Sequence, residues 1–236
     1  MARNTQDSEA NETPPDAPEA PVQADASTPA AAEAAAPAPA ASTAANGKTT
    51  RSTRRTRIVT PEPLDPSLAE KLDRGEALAE TGNHAGAADA FAAVAAVRPD
   101  SLRALMGLAT ALAAQGKHEA AEKELRRAEK LAPDHPPVYL QLGQVLFKRG
   151  NYPAAVLSLR RAVELAPDNG VAYVLLGEAL NQTADSDGAL EVLETAVRIV
   201  PENSKAYYAM GIAYDRKGNP DRAAEMYRLS REIAAR

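Results

Sequence analysis

The sequence predicts an all-α protein: a solenoid of five helical hairpins that follows a long N-terminal tail. Pro99, Pro133, Pro167 and Pro201 stand 34 residues apart. Apolar residues recur between them at the helical spacings of three and four, whereas the first 62 residues contain almost no large apolar side chains. A fixed period of this length is typical of repeat architectures, in which each unit buries its apolar face against its neighbours.

The tail, residues 1–62, is dominated by Ala, Pro, Thr, Ser and acidic residues. Such a composition cannot bury enough apolar surface to offset the entropy lost on ordering, so we expect the tail to be disordered. Residues 1–50 carry a net charge of −5, and a basic island at 51–57 carries +4. The arginines of this island form a candidate contact surface for anionic groups, with a salt-sensitive affinity: Arg51, Arg54, Arg55 and Arg57.

The solenoid is expected to span residues 63–236, with its first helix beginning near Asp65. The Asp65 carboxylate can cap that helix, and Pro66 suits the first helical turn. When each unit starts 31 residues before its proline, the repeats fall at 68–101, 102–135, 136–169, 170–203 and 204–236.

Each repeat reads as two helices separated by a glycine turn. The prolines end the second helices, since proline cannot continue the hydrogen-bond ladder. The acidic residues that follow the prolines, such as Asp168, are expected to accept hydrogen bonds at the next helix N-terminus. Ala184 replaces the turn glycine in the fourth repeat, which leaves the geometry of that turn open. In the other repeats the first helix is expected to end at a glycine with positive φ: Gly82, Gly116, Gly150 and Gly218.

The eighth position of every repeat is glycine or alanine. A glycine inside a helix costs roughly 1 kcal/mol relative to alanine, so its recurrence predicts a site where two helices approach too closely for a larger side chain. The residues at this position are Gly75, Ala109, Gly143, Gly177 and Gly211.

These columns resemble the tetratricopeptide repeat family over about 170 of the 236 residues. The resemblance implies a right-handed superhelical solenoid whose concave face, formed by the first helices, binds peptides or partner helices. Polar departures in the terminal repeats, such as Lys71 and Arg74, fit the capping expected of a solenoid. The third repeat shows the family pattern as Tyr139, Leu142, Gly143, Ala155, Leu159, Ala162 and Pro167.

No catalytic or metal-binding signature is present. The chain has no cysteine and three histidines. His84 and His118 occupy the same position in consecutive repeats, roughly 10 Å apart, which is too far for one metal ion with ligand bonds of about 2.1 Å. We therefore expect turn-surface histidines, no enzymatic activity, no cofactor and no metal.

The fourth-position tyrosines allow two interpretations. Tyr139, Tyr173 and Tyr207 recur at the repeat period. They could form a platform on which nucleic-acid bases stack. Their phase favours packing inside each repeat instead.

The candidate binding site is the inner stripe, which we define as positions two, five, nine, twelve and thirteen of each first helix. Their spacing places them on one helix face, and the family resemblance places that face in the groove. The apolar row at position five could instead pack on the second helices, and this alternative stays open. The expected contact residues are Arg103, Met106, Leu140, Gln144, Lys148, Val174, Glu178, Lys205, Tyr208, Ile212 and Arg216.

The sequence thus predicts a non-enzymatic interaction module, an adaptor or scaffold that binds a peptide segment or helix of another protein. Two alternatives stay open: a structural subunit of a larger assembly, and binding of nucleic acid or an anionic surface through the arginine island, which we expect to be secondary. The N-terminus lacks the apolar core of a secretion signal, and no run is long enough to span a membrane. A cytoplasmic location is therefore expected, while partner identity and oligomeric state are left open.

Overall fold

The structure, a computed structural model, describes residues 65–236. The predicted tail at 1–62 and its basic island lie outside the described residues. Within the described range there are ten α-helices and no strand, which confirms the all-α prediction. The helices are α1 Pro66–Glu80, α2 His84–Val97, α3 Leu102–Ala114, α4 His118–Leu131, α5 Pro136–Lys148, α6 Tyr152–Leu165, α7 Gly170–Gln182, α8 Ser186–Ile199, α9 Ser204–Arg216 and α10 Pro220–Ala234.

The helices stack in chain order, and each packs against the next. Each first helix also contacts the first helix of the following repeat, from α1 and α3 through to α7 and α9. Among the described helices, no second helix contacts the following second helix. The first helices therefore lie closer together and line the inner side of a helical-repeat solenoid, as predicted.

The eighth-position glycines lie at close contacts between the two helices of one repeat. A Cβ added at Gly143 would lie 2.4 Å from Cγ of Leu159, and one at Gly177 would lie 2.4 Å from Cγ of Leu193. Both leucines are completely buried. The predicted close approach is confirmed, and its partner is the twenty-fourth residue of the same repeat.

The first helix begins as predicted, with Asp65 as its N-cap. The backbone N–H of Ser67 donates to Oδ1 of Asp65 at 3.0 Å. The expectation that Asp100, Asp134, Asp168 and Glu202 accept at the later helices is wrong. Each proline and the acidic residue after it occupy the turn itself, so the next helix starts two residues after the acidic residue. The caps that accept a backbone N–H there are Ser101, Asn169 and Asn203.

The turn of the fourth repeat keeps the geometry of the others despite its alanine. Ala184 has φ 62°, while the turn glycines of the other repeats have φ between 70° and 77°. An L-residue in this left-handed region places its Cβ close to the backbone. The solenoid therefore tolerates local strain at Ala184 to maintain the repeat.

Ala184→Gly is expected to raise the free energy of unfolding by about 0.5 to 1 kcal/mol, because glycine adopts this φ without a Cβ contact. Urea denaturation of the full chain measures the change. Gly150→Ala is the matched control and should lower stability by a similar amount. If both substitutions changed the free energy of unfolding in the same direction, the assignment of strain to Ala184 would be contradicted.

Candidate protein-binding groove

The inner surface of the solenoid consists of the exposed faces of α1, α3, α5, α7 and α9. Ten of the eleven predicted contact residues are exposed or half-buried there. Met106, Leu140, Glu178 and Ile212 are half-buried. The exposed members are Arg103, Gln144, Lys148, Lys205, Tyr208 and Arg216.

Val174 is the exception, because its side chain is only 4% exposed and belongs to the core. The prediction that Val174 is exposed in the groove is therefore wrong. Leu72, at the same position of the first repeat, is completely buried. The four fifth-position residues that have a following repeat are buried or half-buried, whereas Tyr208 in the last repeat has none and is 57% exposed. The fifth-position row is thus partly core and partly surface.

Arg103 bridges the first two repeats. Its guanidinium donates to both carboxylate oxygens of Glu76, at 2.7 and 2.6 Å, and to Asp73 at 2.9 Å. The hydrogen bond from Arg103 lowers the pKa of Glu76, and the same contact raises the pKa of Arg103. Because these groups are exposed, the pair adds little stability. Arg103 is therefore neutralised within the chain.

Glu178 lies between two lysines on the inner surface. Burial raises the pKa of its carboxyl group, and Lys205 and Lys148 act in the opposite direction. Neither lysine has an ion pair within 4.0 Å among the described residues. This part of the groove thus presents two available cations beside a partly buried carboxylate.

Tyr208 marks the C-terminal end of the groove. Its ring lies 5.5 Å from that of Tyr227 in α10, in a tilted arrangement. A shallow cavity of about 340 Å³ is lined there by Tyr208, Lys205 and Glu178, with Ser204 and Ser230. An exposed aromatic ring beside charged groups can contact both apolar and polar parts of a ligand.

Two further cavities lie along the solenoid. The larger, about 550 Å³, is lined by residues of α1, α2, α3 and α5 and by His135, and it includes Glu76, Met106 and Gln141. We call the second the α3–α5 cavity. It measures about 370 Å³ and is lined by Ala109, Thr110, Ala113, His118, Leu125, Gln141, Gln144, Val145, Lys148 and Leu175.

Both cavities include residues that the sequence prediction missed. Gln141 lines both, His118 lines the α3–α5 cavity, and His135 lines the larger one. His118 was expected on the turn surface, but its side chain is half-buried. The sixth position, which holds Gln141, follows position two by four residues and precedes position nine by three. Helical spacing therefore offered a signal for Gln141.

The fourth-position tyrosines pack inside the solenoid. Tyr139 is 8% exposed and packs against Ala162 and Ala172. Its hydroxyl donates to the carbonyl of Pro133 at 2.8 Å. Tyr173 and Tyr207 are half-buried against the core. The packing interpretation is confirmed for these residues, and a stacking platform for bases is not formed.

The described residues contain no group of three or more His, Asp or Glu side chains arranged to hold a metal ion. Across residues 65–236, no helix combines the length and apolar character needed to cross a membrane.

A family model described as tetratricopeptide repeat matches residues 72–136, 140–204 and 182–235, most of the described range. No curated protein matches the sequence.

Solved structures share the fold. A crystal structure of the MamA protein is 26% identical, with a TM-score of 0.65, and the alignment covers 71% of this chain and 91% of that one. MamA from Desulfovibrio magneticus RS-1 is 24% identical, with a TM-score of 0.68 and coverage of 72% and 97%. YrrB, described as a repeat protein of this type with an unusual peptide-binding site, is 21% identical, with a TM-score of 0.62 and coverage of 73% and 92%.

Proposed function

Since the chain belongs to the tetratricopeptide repeat family, whose fold is that of a protein-interaction scaffold, we propose that it is a non-enzymatic adaptor. In this proposal the inner surface binds a peptide segment or helix of another protein. A cytoplasmic location stays a prediction, and so do the boundaries between the tail and the solenoid.

One observation supports the inner surface more than any other: Tyr208 is 57% exposed beside the exposed Lys205 and the half-buried Ile212. Tyrosine and charged anchors contribute disproportionately to binding energy at protein interfaces. An aromatic ring left in water inside a concave surface is also a favourable contact for a partner, because its burial removes apolar area from solvent.

The double variant Tyr208→Ala, Lys205→Glu is expected to weaken capture of a partner protein from native lysate by the full chain. Both side chains are exposed, so the free energy of unfolding should change by about 0.5 kcal/mol or less. Quantitative pull-down and a thermal melt, run on the same preparations, test the two halves of this prediction.

Tyr207→Ala is the matched control, because it removes the neighbouring aromatic from the packed side of the same helix. It should lower the melting temperature, and any binding loss should follow from unfolding. Normal capture by the double variant, combined with loss of capture on deletion of residues 1–62, would contradict the groove proposal. That result would indicate that the partner binds the tail and its arginine island.

A further inference from the structure

The α3–α5 cavity combines an apolar floor with a polar rim. Ala109, Leu125 and Val145 are almost fully buried and form part of its lining. Thr110, Gln144 and Lys148 are exposed at the same cavity. Its volume of about 370 Å³ lies in the range typical of sites that enclose a bound group. An aromatic side chain would fill it better than a small aliphatic one.

Two residues of the lining each carry a hydrogen-bonding atom that has no partner among the described residues. Oε1 of Gln141 and Nδ1 of His118 are buried and unpaired. A glutamine carbonyl oxygen can only accept a hydrogen bond, and His Nδ1 accepts in one neutral tautomer. A buried acceptor without a donor is destabilising. The cavity therefore favours a ligand that brings a hydrogen-bond donor.

Charge at the rim adds a second requirement. Lys148 is exposed and has no ion pair within 4.0 Å among residues 65–236. Arg103, the cation one repeat earlier, is already bound to Glu76 and Asp73. Glu178 acts on Lys148 without forming an ion pair within 4.0 Å, so of these two cations Lys148 is the one available to an acidic group of a ligand.

We propose that the α3–α5 cavity receives a tyrosine or tryptophan side chain of the partner segment, and that Lys148 pairs with an Asp or Glu beside that aromatic residue. This inference rests on the proposed groove function and specifies its ligand. Tyrosine and tryptophan carry an apolar body and one donor, which matches the apolar floor and one unpaired acceptor, Oε1 of Gln141. Phenylalanine fills the same space but leaves that acceptor unpaired.

A random dodecapeptide library displayed on phage is the probe, selected against the full chain. We expect the enriched peptides to contain Tyr or Trp with an acidic residue one or two positions away. Synthetic copies of an enriched peptide, with Tyr or Trp replaced by Phe, should bind about tenfold more weakly in a fluorescence titration.

Two variants locate the peptide. Ala113→Phe fills the cavity with the residue that the third repeat carries at the same position, Phe147, and should reduce peptide binding by about tenfold or more. Ala93→Phe adds the same side chain at an exposed position of α2 and should leave binding unchanged. Selection against Lys148→Glu should replace the acidic residue of the enriched peptides with Lys or Arg.

The possible results separate this inference from the function it rests on. Enriched peptides without Tyr or Trp, or peptides that bind a stably folded Ala113→Phe variant as well as the parent, would overturn the cavity assignment. If those peptides still depend on Tyr208 and Lys205, the groove function stands. Peptides that depend on none of these residues would overturn both.

Discussion

Tyr139→Ala is expected to lower the free energy of unfolding by about 3 to 5 kcal/mol, the usual cost of removing a buried aromatic side chain. Tyr139 packs against Ala162 in its own repeat and Ala172 in the next, so the substitution leaves a cavity at the junction of two repeats. For a domain of this size the melting temperature should fall by roughly 10 °C. Thermal and urea denaturation of the full chain measure both quantities.

Two controls divide this effect into its parts. Tyr139→Phe keeps the ring and removes the hydrogen bond to the Pro133 carbonyl, so it should cost about 1 kcal/mol. Tyr208→Ala removes the same side chain from a position that is 57% exposed and should cost about 0.5 kcal/mol or less. Equal losses for Tyr139→Ala and Tyr208→Ala would contradict the assignment of one tyrosine to the core and the other to the groove.

Gly177→Leu is expected to destabilise the solenoid by about 1 to 3 kcal/mol through overpacking. The first added carbon alone would lie 2.4 Å from Cγ of Leu193, so Leu193, which is completely buried, must move. Because leucine is the better helix former by several tenths of a kcal/mol, any net loss reports the steric contact. Urea denaturation measures the change.

A double-mutant cycle identifies the contact. Leu193→Ala makes room for the new side chain, so the double variant Gly177→Leu, Leu193→Ala should lose less stability than the sum of its single changes. Ala93→Leu, at an exposed helical position, should stay within about 0.5 kcal/mol of the parent. Additive losses in the cycle would show that Gly177 faces some other part of the protein.

Much of the fold follows from local rules that the sequence displays. The prolines and turn glycines set the helix ends because one lacks a backbone N–H and the other tolerates positive φ. These rules could not predict the turn at Ala184, because alanine disfavours the positive φ that it adopts there. The two helices that this turn joins, α7 and α8, pack against each other, and their packing requires a turn of this length. A tertiary contact of this kind cannot be read from the turn residues alone.

The groove was harder to predict than the fold because exposure depends on the neighbouring repeat. Tyr208 and Val174 share one repeat position, yet one is exposed and the other buried. Periodicity assigns a residue to a helix face, but it does not give the depth to which the next repeat covers that face. His118 was missed for a related reason: it belongs to α4, and only packing brings it beside the groove formed by the first helices.

The contacts between neighbouring repeats also determine how the groove deforms. Each repeat packs only on the units before and after it, so a small rotation at one junction is passed on, and rotations at successive junctions add along the stack. The distance between the first and last repeats is therefore the softest dimension of the molecule, while a cavity between two adjacent first helices changes only with the rotations at its own junctions. A ligand held in the α3–α5 cavity is therefore less sensitive to this bending than one that contacts every repeat. A ligand that spans the whole groove binds only one curvature of the solenoid. Its binding is therefore weakened by the free energy needed to restrict the solenoid to that curvature.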